Sequence, residues 1–94
     1  MNKSQLVDKI ARSTRQTKTC VEETLNEAIE LIKKSVKKGD DVTLVGFGTF
    51  TRTERQPRLG WNPQTNQKIE IPGMTLPRFR PGKEFVDRVR QKLN

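Results

Sequence analysis

The residues best suited to act on a ligand lie in one polar stretch between Arg52 and Met74. It holds four cations, and near its middle the only tryptophan precedes an Asn-Pro dipeptide; these residues are Arg52, Arg55, Arg58, Lys68, Trp61, Asn62 and Pro63. Guanidinium and ammonium groups bind phosphate oxygens, and a flat apolar ring can pack against sugars. A proline has no N–H to donate, so it serves either as turn punctuation or as a rigid wedge that opens stacked bases.

The net charge also favours a polyanionic partner. The 94-residue chain carries 19 Lys and Arg against 11 Asp and Glu, a net charge of +8. Residues 1–51 hold nine basic and seven acidic side chains, whereas residues 52–94 hold ten and four. The binding surface is therefore expected mainly in the second half. Charge alone does not distinguish DNA, RNA and an anionic membrane.

Other function classes lack their sequence features. No apolar run approaches the roughly 20 residues of a membrane span, and no signal peptide is recognisable, so we expect a cytoplasmic protein without a membrane partner. The chain has no His, and the single Cys20 is expected to be a small helix residue of the buried, unreactive kind. No nucleophile is paired with a base and no metal or phosphate motif is present. We predict no enzyme, no metal, no cofactor and no small-molecule substrate.

The elements that position these residues begin with two helices. Asn2 and Gln5 form a predicted capping box at the start of a short amphipathic helix. Thr17 is the predicted N-cap of a second, longer helix, and Gly39 is its expected stop. Only 31% of the residues are hydrophobic, and Leu31 lies off the apolar stripe of the second helix, so we expect self-association.

Strands and a last helix follow. Residues 42–45, 49–53 and 76–80 alternate as strands, and a Gly-Phe-Gly motif at 46–48 supplies a tight corner. Three aromatics are expected in the core; they are Phe47, Phe50 and Phe79. A basic amphipathic helix is predicted from Lys83 to the end of the chain. The order of helices and strands indicates an α+β domain.

The stretch between strands predicts a long two-stranded arm. Residues 53–58 and 67–71 alternate, and residues 62–66 have the composition of a turn. An isolated hairpin is marginally stable, so the arm should be mobile until it binds. Ten extended residues reach roughly 30 Å, which suits the groove of a double-stranded nucleic acid. Two roles stay open for the Trp61 ring: it is covered by DNA, or it folds onto Leu59 or Ile69 of its own arm.

Three motifs resemble the HU/IHF family of bacterial histone-like DNA-binding proteins: Gly-Phe-Gly at 46–48, Asn-Pro-Gln-Thr at 62–65 and Arg-Phe-Arg-Pro-Gly-Lys at 78–83. The resemblance covers the whole chain and implies one domain over 1–94. It implies an intertwined dimer with a helical base (1–39), a three-stranded antiparallel sheet per subunit with a long β-ribbon arm (41–80), and a C-terminal helix (82–94). Homodimer and heterodimer are both compatible with it.

The resemblance also implies the site. The tip proline, Pro63, would intercalate; other arm residues would contact the minor groove or its phosphates, and residues of the body would meet the backbone. The expected DNA-binding residues are Lys3, Gly46, Arg52, Arg55, Arg58, Trp61, Asn62, Pro63, Gln64, Thr65, Lys68, Arg78, Arg80 and Lys83. Three residues depart from the family pattern: Trp61 stands in place of Arg, while Asn66 and Arg15 stand where Gly is common. We expect Asn66 to tolerate the turn and the connection at Arg15 to differ locally.

The implied function is architectural. The protein would bind and bend double-stranded DNA with little sequence specificity, shaping or compacting the chromosome as a nucleoid-associated protein. Two alternatives remain open at this stage. One is a sequence-preferring IHF-like subunit of a heterodimer, and the other is an RNA-binding basic protein.

Overall fold

The computed structural model describes residues 1–93, and the chain forms two compact units, Met1–Lys34 and a second that begins at Ser35. In chain order the elements are α1 (Lys3–Thr14), α2 (Lys18–Lys38), β1 (Val42–Leu44), β2 (Gly48–Arg55), β3 (Arg58–Asn62), β4 (Gln67–Ile71), β5 (Met74–Pro81) and α3 (Lys83–Val89). The predicted α+β order is confirmed.

The first unit begins with the predicted capping box. The Asn2 side chain accepts from the Gln5 backbone N–H, and the Gln5 side chain accepts from the Asn2 N–H, each at 2.9 Å. Two N–H groups that a helix start leaves without partners are thereby satisfied. Helix α1 ends at Thr14, and the next residue, Arg15, caps it in a left-handed conformation (φ 57°) and donates its N–H to the Ala11 carbonyl. The predicted N-cap of α2 is also confirmed, because Thr17 Oγ1 accepts from the Cys20 N–H at 3.1 Å.

The core of the first unit is small. Val7, Ala11 and Val21 are buried, with Ile10 and Leu25 packed against them. One prediction is wrong here: Cys20 lies on α2, as expected, but it is exposed, because the buried side of this turn of the helix is taken by the neighbouring Val21. Leu31 is also exposed, at 54%.

An ion-pair cluster centred on Asp8 joins α1 to the start of α2. Its carboxylate lies 3.0 Å from the Lys18 ammonium and 3.2 Å from the Arg12 guanidinium. The hydrogen bond from Lys18 and the two positive charges lower the pKa of Asp8 below its usual value of 3.8, and partial desolvation opposes them. The two helices are therefore held together by charge as well as by the small apolar core.

The second unit is built on an antiparallel sheet in the order β1-β2-β5. Gly46 takes a positive φ of 85° in the turn from Leu44 to Phe47, whose N–H donates to the Leu44 carbonyl at 2.9 Å. Gly48 is buried, and a Cβ there would lie 2.6 Å from both the Arg80 carbonyl oxygen and the Phe79 ring. The predicted glycine corner therefore needs both glycines, for different reasons: one for its dihedral angles and one for space.

The predicted aromatic cluster forms, and a fourth ring joins it. Phe50 and Phe79 are directly paired across β2 and β5, with ring centroids 4.8 Å apart. Phe47 lies 5.0 Å from Phe79 and 5.2 Å from Phe85 of α3, stacked on the latter. The expectation that Phe47 is a core residue is wrong for the single chain, because its side chain is 42% exposed. The four rings pack together at the centre of this unit, but the unit does not bury them completely.

The last helix is shorter than predicted. The sequence pattern predicted it from Lys83 to the end of the chain and the resemblance implied 82–94, but α3 ends at Val89, and Arg90 is extended (ψ 124°). Leu93 is 95% exposed, so the pattern that includes it has no surface to bury against in this chain. A short helix that buries little is marginal in water, which accounts for the early end. Asn94, the final residue of the prediction, lies outside the described residues.

The arm is a separate two-stranded sheet of β3 and β4. It starts later than predicted, because β2 continues pairing with β5 through Arg55 and Met74. Residues 56–57 and 72–73 interrupt both strands at the same level, and each interruption contains a proline, Pro57 and Pro72. Proline removes a ladder donor, so the break in pairing follows from the residue types.

We predict that Asp8→Asn lowers the melting temperature near neutral pH but not in acid. The lowered pKa means that the ionised carboxylate stabilises the fold above pH 3.8, and this contribution is lost as the pH falls through the folded-state pKa. Thermal unfolding followed by circular dichroism should show the parent and the variant converging in acid. Asp87→Asn, at an exposed position of α3, is the control and should have the same melting temperature as the parent both near neutral pH and in acid. A constant difference between Asp8→Asn and the parent at all pH values would contradict the assignment.

Candidate nucleic-acid interface

One face of the three-stranded sheet carries hydroxyl and guanidinium groups. Thr49 pairs with Arg80 and Thr51 with Arg78 across β2 and β5, and directly paired residues share a face. Thr43 lies on the same face, with its Oγ1 3.2 Å from that of Thr49. Both expected phosphate ligands of β5 are exposed. This Thr/Arg face can donate hydrogen bonds to an anionic backbone.

The threonines of this face were missed at the sequence level. Thr49 and Thr51 alternate with Phe50, so the strand period places them on the side away from the aromatic cluster. That alternation was the available signal. Thr51 also donates to the Asp41 carboxylate at 2.7 Å, which sets one acidic group beside the face.

Arg52 does not belong to this face. Strand alternation puts it on the side of Phe50, where its guanidinium donates to the Lys37 carbonyl at 3.0 Å and lies 3.8 Å from the Glu54 carboxylate. The side chain is 31% exposed. A cation bound to a carbonyl of the last turn of a helix has a structural function. The structure therefore separates Arg52 from Arg78 and Arg80, with which the sequence had grouped it.

The tip of the arm is a hydrogen-bonded turn. Asn62 Oδ1 accepts from the Gln64 N–H at 3.0 Å, and the Asn62 carbonyl accepts from the Asn66 N–H at 2.8 Å. Asn66 has φ 55°, so the expected left-handed residue is confirmed. Pro63, Gln64 and Thr65 are all exposed at this turn. The turn holds Pro63 outward in a defined geometry.

The two faces of the arm differ in composition. One face carries Gly60 opposite Ile69, next to Ile71; a Cβ on Gly60 would lie 2.8 Å from Ile71 Cδ1. The other carries Leu59 and Trp61, whose cross-strand partners are Glu70 and Lys68. Trp61 is 61% exposed, and strand alternation puts Ile69 on the opposite face from its ring.

The arm cations are distributed over both faces. Arg58 is opposite Ile71 and Lys68 is opposite Trp61, so one cation lies on each side of the ribbon. Arg55 is the last residue of β2 and is exposed at the base of the arm. An anion lying along either side of the ribbon would therefore meet a positive charge.

The remaining expected residues lie at helix starts and at the glycine corner. Lys83 is the first residue of α3 and follows Gly82, whose N–H donates to the Phe47 carbonyl at 2.8 Å. This bond brings Lys83 to the corner that contains Gly46. Lys3 is the exposed first residue of α1, in the first unit.

A carboxylate unnoticed in the sequence also lies at this corner. Glu84 Oε2 would be 3.0 Å from a Cβ on Gly46, and its other oxygen is 3.9 Å from the Arg88 guanidinium. Nothing in the local sequence pattern marked it, because the contact depends on how α3 meets the turn. A residue with a side chain at position 46 would crowd this carboxylate, and its backbone would also be strained by the positive φ.

Within the described residues, no group of three or more His, Cys, Asp or Glu side chains could hold a metal ion. None of the helices described has the length and apolar composition needed to cross a bilayer.

Comparison with known proteins gives one consistent result. The family model described as bacterial DNA-binding protein matches residues 1–90. The chain is 47% identical to DNA-binding protein HU of Nostoc sp. over 89 residues, covering 95% of each chain. It is 48% identical to DNA-binding protein HU-beta of Escherichia coli, covering 95% of this chain and 99% of the relative.

Two solved structures are similar. A cocrystal structure of Anabaena HU with DNA superposes with a TM-score of 0.87 at 47% identity, covering 95% of this chain and 97% of that one. HU from Thermotoga maritima gives a TM-score of 0.68 at 28% identity, covering 96% and 100%.

We predict that Arg52→Ala and Arg78→Ala separate stability from binding. Arg52→Ala removes the bond to the Lys37 carbonyl and should lower the free energy of unfolding by about 1–2 kcal/mol. Arg78→Ala should change it by less than about 0.5 kcal/mol. Urea unfolding measures the first effect, and titration of a labelled duplex with the folded variants measures binding. If Arg52→Ala is as stable as the parent and binds the duplex as weakly as Arg78→Ala, the structural role of Arg52 is wrong.

Proposed function

The chain belongs to the family of bacterial DNA-binding proteins, and from that premise we propose that it binds and bends double-stranded DNA through the minor groove with little sequence specificity. In this role it is an architectural protein that shapes or compacts the chromosome, and it is not an enzyme. The observation that carries the proposal is the tip of the arm. An exposed Pro63 is held outward by a hydrogen-bonded turn at the end of a ribbon with a cation on each face.

The mechanism follows from the balance of two energies. Inserting an apolar wedge at a base step costs about a few kcal/mol of stacking. The bend that results brings more phosphates to the protein, and each neutralised phosphate releases counterions. Binding should therefore weaken steeply with salt. Little sequence discrimination is expected, because the minor groove distinguishes A·T from G·C pairs and little else.

We assign DNA contacts in three sets. The tip and the face beside it hold Pro63, Gln64, Thr65, Asn62 and Trp61. The arm cations are Arg55, Arg58 and Lys68. The contacts of the body are Arg78, Arg80, Lys83, Lys3 and the backbone at Gly46. Arg52, which donates to the Lys37 carbonyl, acts through the stability of the sheet. Asn62 has a positioning role as well, since its side-chain oxygen holds the tip turn.

The functional unit is a dimer, with 1–39 as its helical base, 41–80 as sheet and arm, and the C-terminal segment from residue 82 completing one domain. The incomplete burial supports this. Among the residues described, no side chain is less than 2% exposed, and the only buried hydrophobic residues are Val7, Ala11, Val21 and Val36. A chain of this size cannot offset its conformational entropy with so little burial. A second copy that covers Leu31 and Phe47 supplies the missing surface.

The proposed activity places the protein with the chromosome, as a nucleoid-associated protein of the cytoplasm. The family match supports this location. Its partner there is double-stranded DNA, and no cofactor enters the proposed mechanism.

We predict that Pro63→Ala binds a duplex but bends it less. Energy transfer between dyes at the two duplex ends should rise when the parent protein is added, because bending shortens the end-to-end distance, and the rise should be much smaller with the variant. Pro77→Ala, at an exposed position in β5, is the matched control and should bend DNA like the parent. Equal bending by Pro63→Ala and the parent would overturn the wedge. A parent protein that prefers RNA, or leaves the duplex straight, would overturn the proposed function.

We also predict that the protein is a dimer at micromolar concentration. Sedimentation equilibrium should give twice the chain mass of 10.8 kDa, and dilution should unfold the protein as it dissociates, because the monomer buries too little surface to be stable. A folded monomer at that concentration would contradict the argument from burial.

A further inference from the structure

We propose that Leu59 and Trp61 form an apolar strip that packs on the deoxyribose walls of a widened minor groove, so that Trp61 makes the protein select deformable DNA over stiff A-tracts. The inference rests on the proposed function. It assigns to one face of the arm a specificity in addition to that of the tip proline.

The strip is exposed and has no apolar partner across the ribbon. Leu59 is 70% exposed and Trp61 is 61% exposed. Their paired residues on β4 are Glu70 and Lys68, both charged, so no cross-strand apolar pair covers either side chain. A large exposed aromatic beside an exposed leucine costs solvation free energy unless a partner covers it.

Apolar packing within the arm is on the opposite face, where Ile71 occupies the space that a Cβ of Gly60 would take, at 2.8 Å. Ile69 is paired with Gly60 on that same face. The two faces therefore differ: the isoleucine side chains pack over the backbone of the arm at Gly60, and the face of Trp61 is available to a ligand.

The charge next to the Trp61 ring favours an anionic ligand. The face of the strip carries one carboxylate, Glu70 beside Leu59, and one cation, Lys68, whereas Arg58 lies on the other face. Lys68 is directly opposite Trp61, so the ring and a cation are presented together. A surface that combines an aromatic ring with a neighbouring cation matches a sugar-phosphate wall, because the sugar is apolar and the phosphate is anionic. Trp61 is also two residues from Pro63, so the strip adjoins the point at which the duplex is opened.

Groove width turns this contact into selectivity. The minor groove of B-DNA is about 6 Å wide, and A-tracts are narrower, stiffer and more electronegative. The indole ring of Trp61 fits only a widened groove. Because the ring is uncharged, the more negative potential of a narrow groove does not add to its affinity. Pyrimidine-purine steps such as TA widen and kink easily. The strip should therefore favour duplexes with TA steps and disfavour A-tracts, and it should contribute affinity that salt does not weaken.

The experiment compares Trp61→Thr, Trp61→Phe and Trp61→Arg with the parent dimer, on labelled duplexes of equal composition that carry central TA steps or a central A-tract. We expect the parent to prefer the TA duplex by roughly fivefold or more. Trp61→Thr, which keeps a good strand former, should bind the TA duplex roughly tenfold more weakly, lose most of the preference and keep the salt slope. Trp61→Phe should keep the preference.

Trp61→Arg tests the charge side of the argument. It should bind the A-tract at least as well as the TA duplex, because a narrow groove attracts a guanidinium. The slope of log affinity against log salt should steepen by about 0.9 for each arm. Leu59→Thr, on the same face, should weaken binding to the TA duplex without changing the slope.

The outcomes separate this inference from the proposed function. If the parent bends DNA but Trp61→Thr retains its affinity and its preference, the strip is not the determinant and only this inference fails. Trp61 emission that is strongly quenched only by a duplex with an unpaired base would assign the ring to base stacking and overturn the groove-wall contact. Emission that changes with protein concentration in the absence of DNA would assign the strip to a second copy, with the same consequence. A parent that does not bend DNA would overturn both.

Discussion

Antiparallel pairing of the two segments that run to and from the arm tip is the interaction on which the rest of the second unit depends. The register of β2 with β5 places the aromatic residues Phe50 and Phe79 together on one face and pairs Thr49 and Thr51 with arginines on the other. Because successive side chains point to opposite faces, one register determines both the interior and the exposed cationic surface. A slip by one residue would bury the arginines and expose the rings. The fold and the proposed DNA surface are therefore set by the same hydrogen bonds.

The same pairing resumes in the arm after an interruption. Both strands break at residues 56–57 and 72–73, where Pro57 and Pro72 cannot donate to a ladder. Beyond the break the ribbon has only its own backbone bonds and a thin apolar face over Gly60. Such a ribbon is only marginally stable on its own. Its tip is the exception, because two hydrogen bonds centred on Asn62 define the turn that presents Pro63.

The thin core links assembly to binding. The first unit buries a small apolar cluster and adds the ion pairs of Asp8, and the aromatic cluster of the second unit leaves Phe47 partly exposed. Neither cluster is buried as completely as the close-packed interior of a stable domain. A dimer completes the burial of these clusters, and it also supplies a second arm. Two wedges acting on one duplex can then produce a bend that a single wedge would not hold.

The local structure and the family could be predicted from the sequence alone. The capping box at Asn2, the N-cap at Thr17 and the turns at Gly46 and Asn66 are confirmed because each depends on residues within a few positions of one another. Tertiary structure decided what depends on distant neighbours. Arg52 was grouped with the DNA-binding cations by its type, but strand alternation puts it on the other face of the sheet, where it donates to the Lys37 carbonyl. The apolar period predicted a C-terminal helix that continues to the end of the chain. The observed helix ends at Val89, because Leu93 has no apolar surface to pack against. The face of Trp61 could not be derived either, since it depends on a register with Lys68 that only the folded ribbon defines.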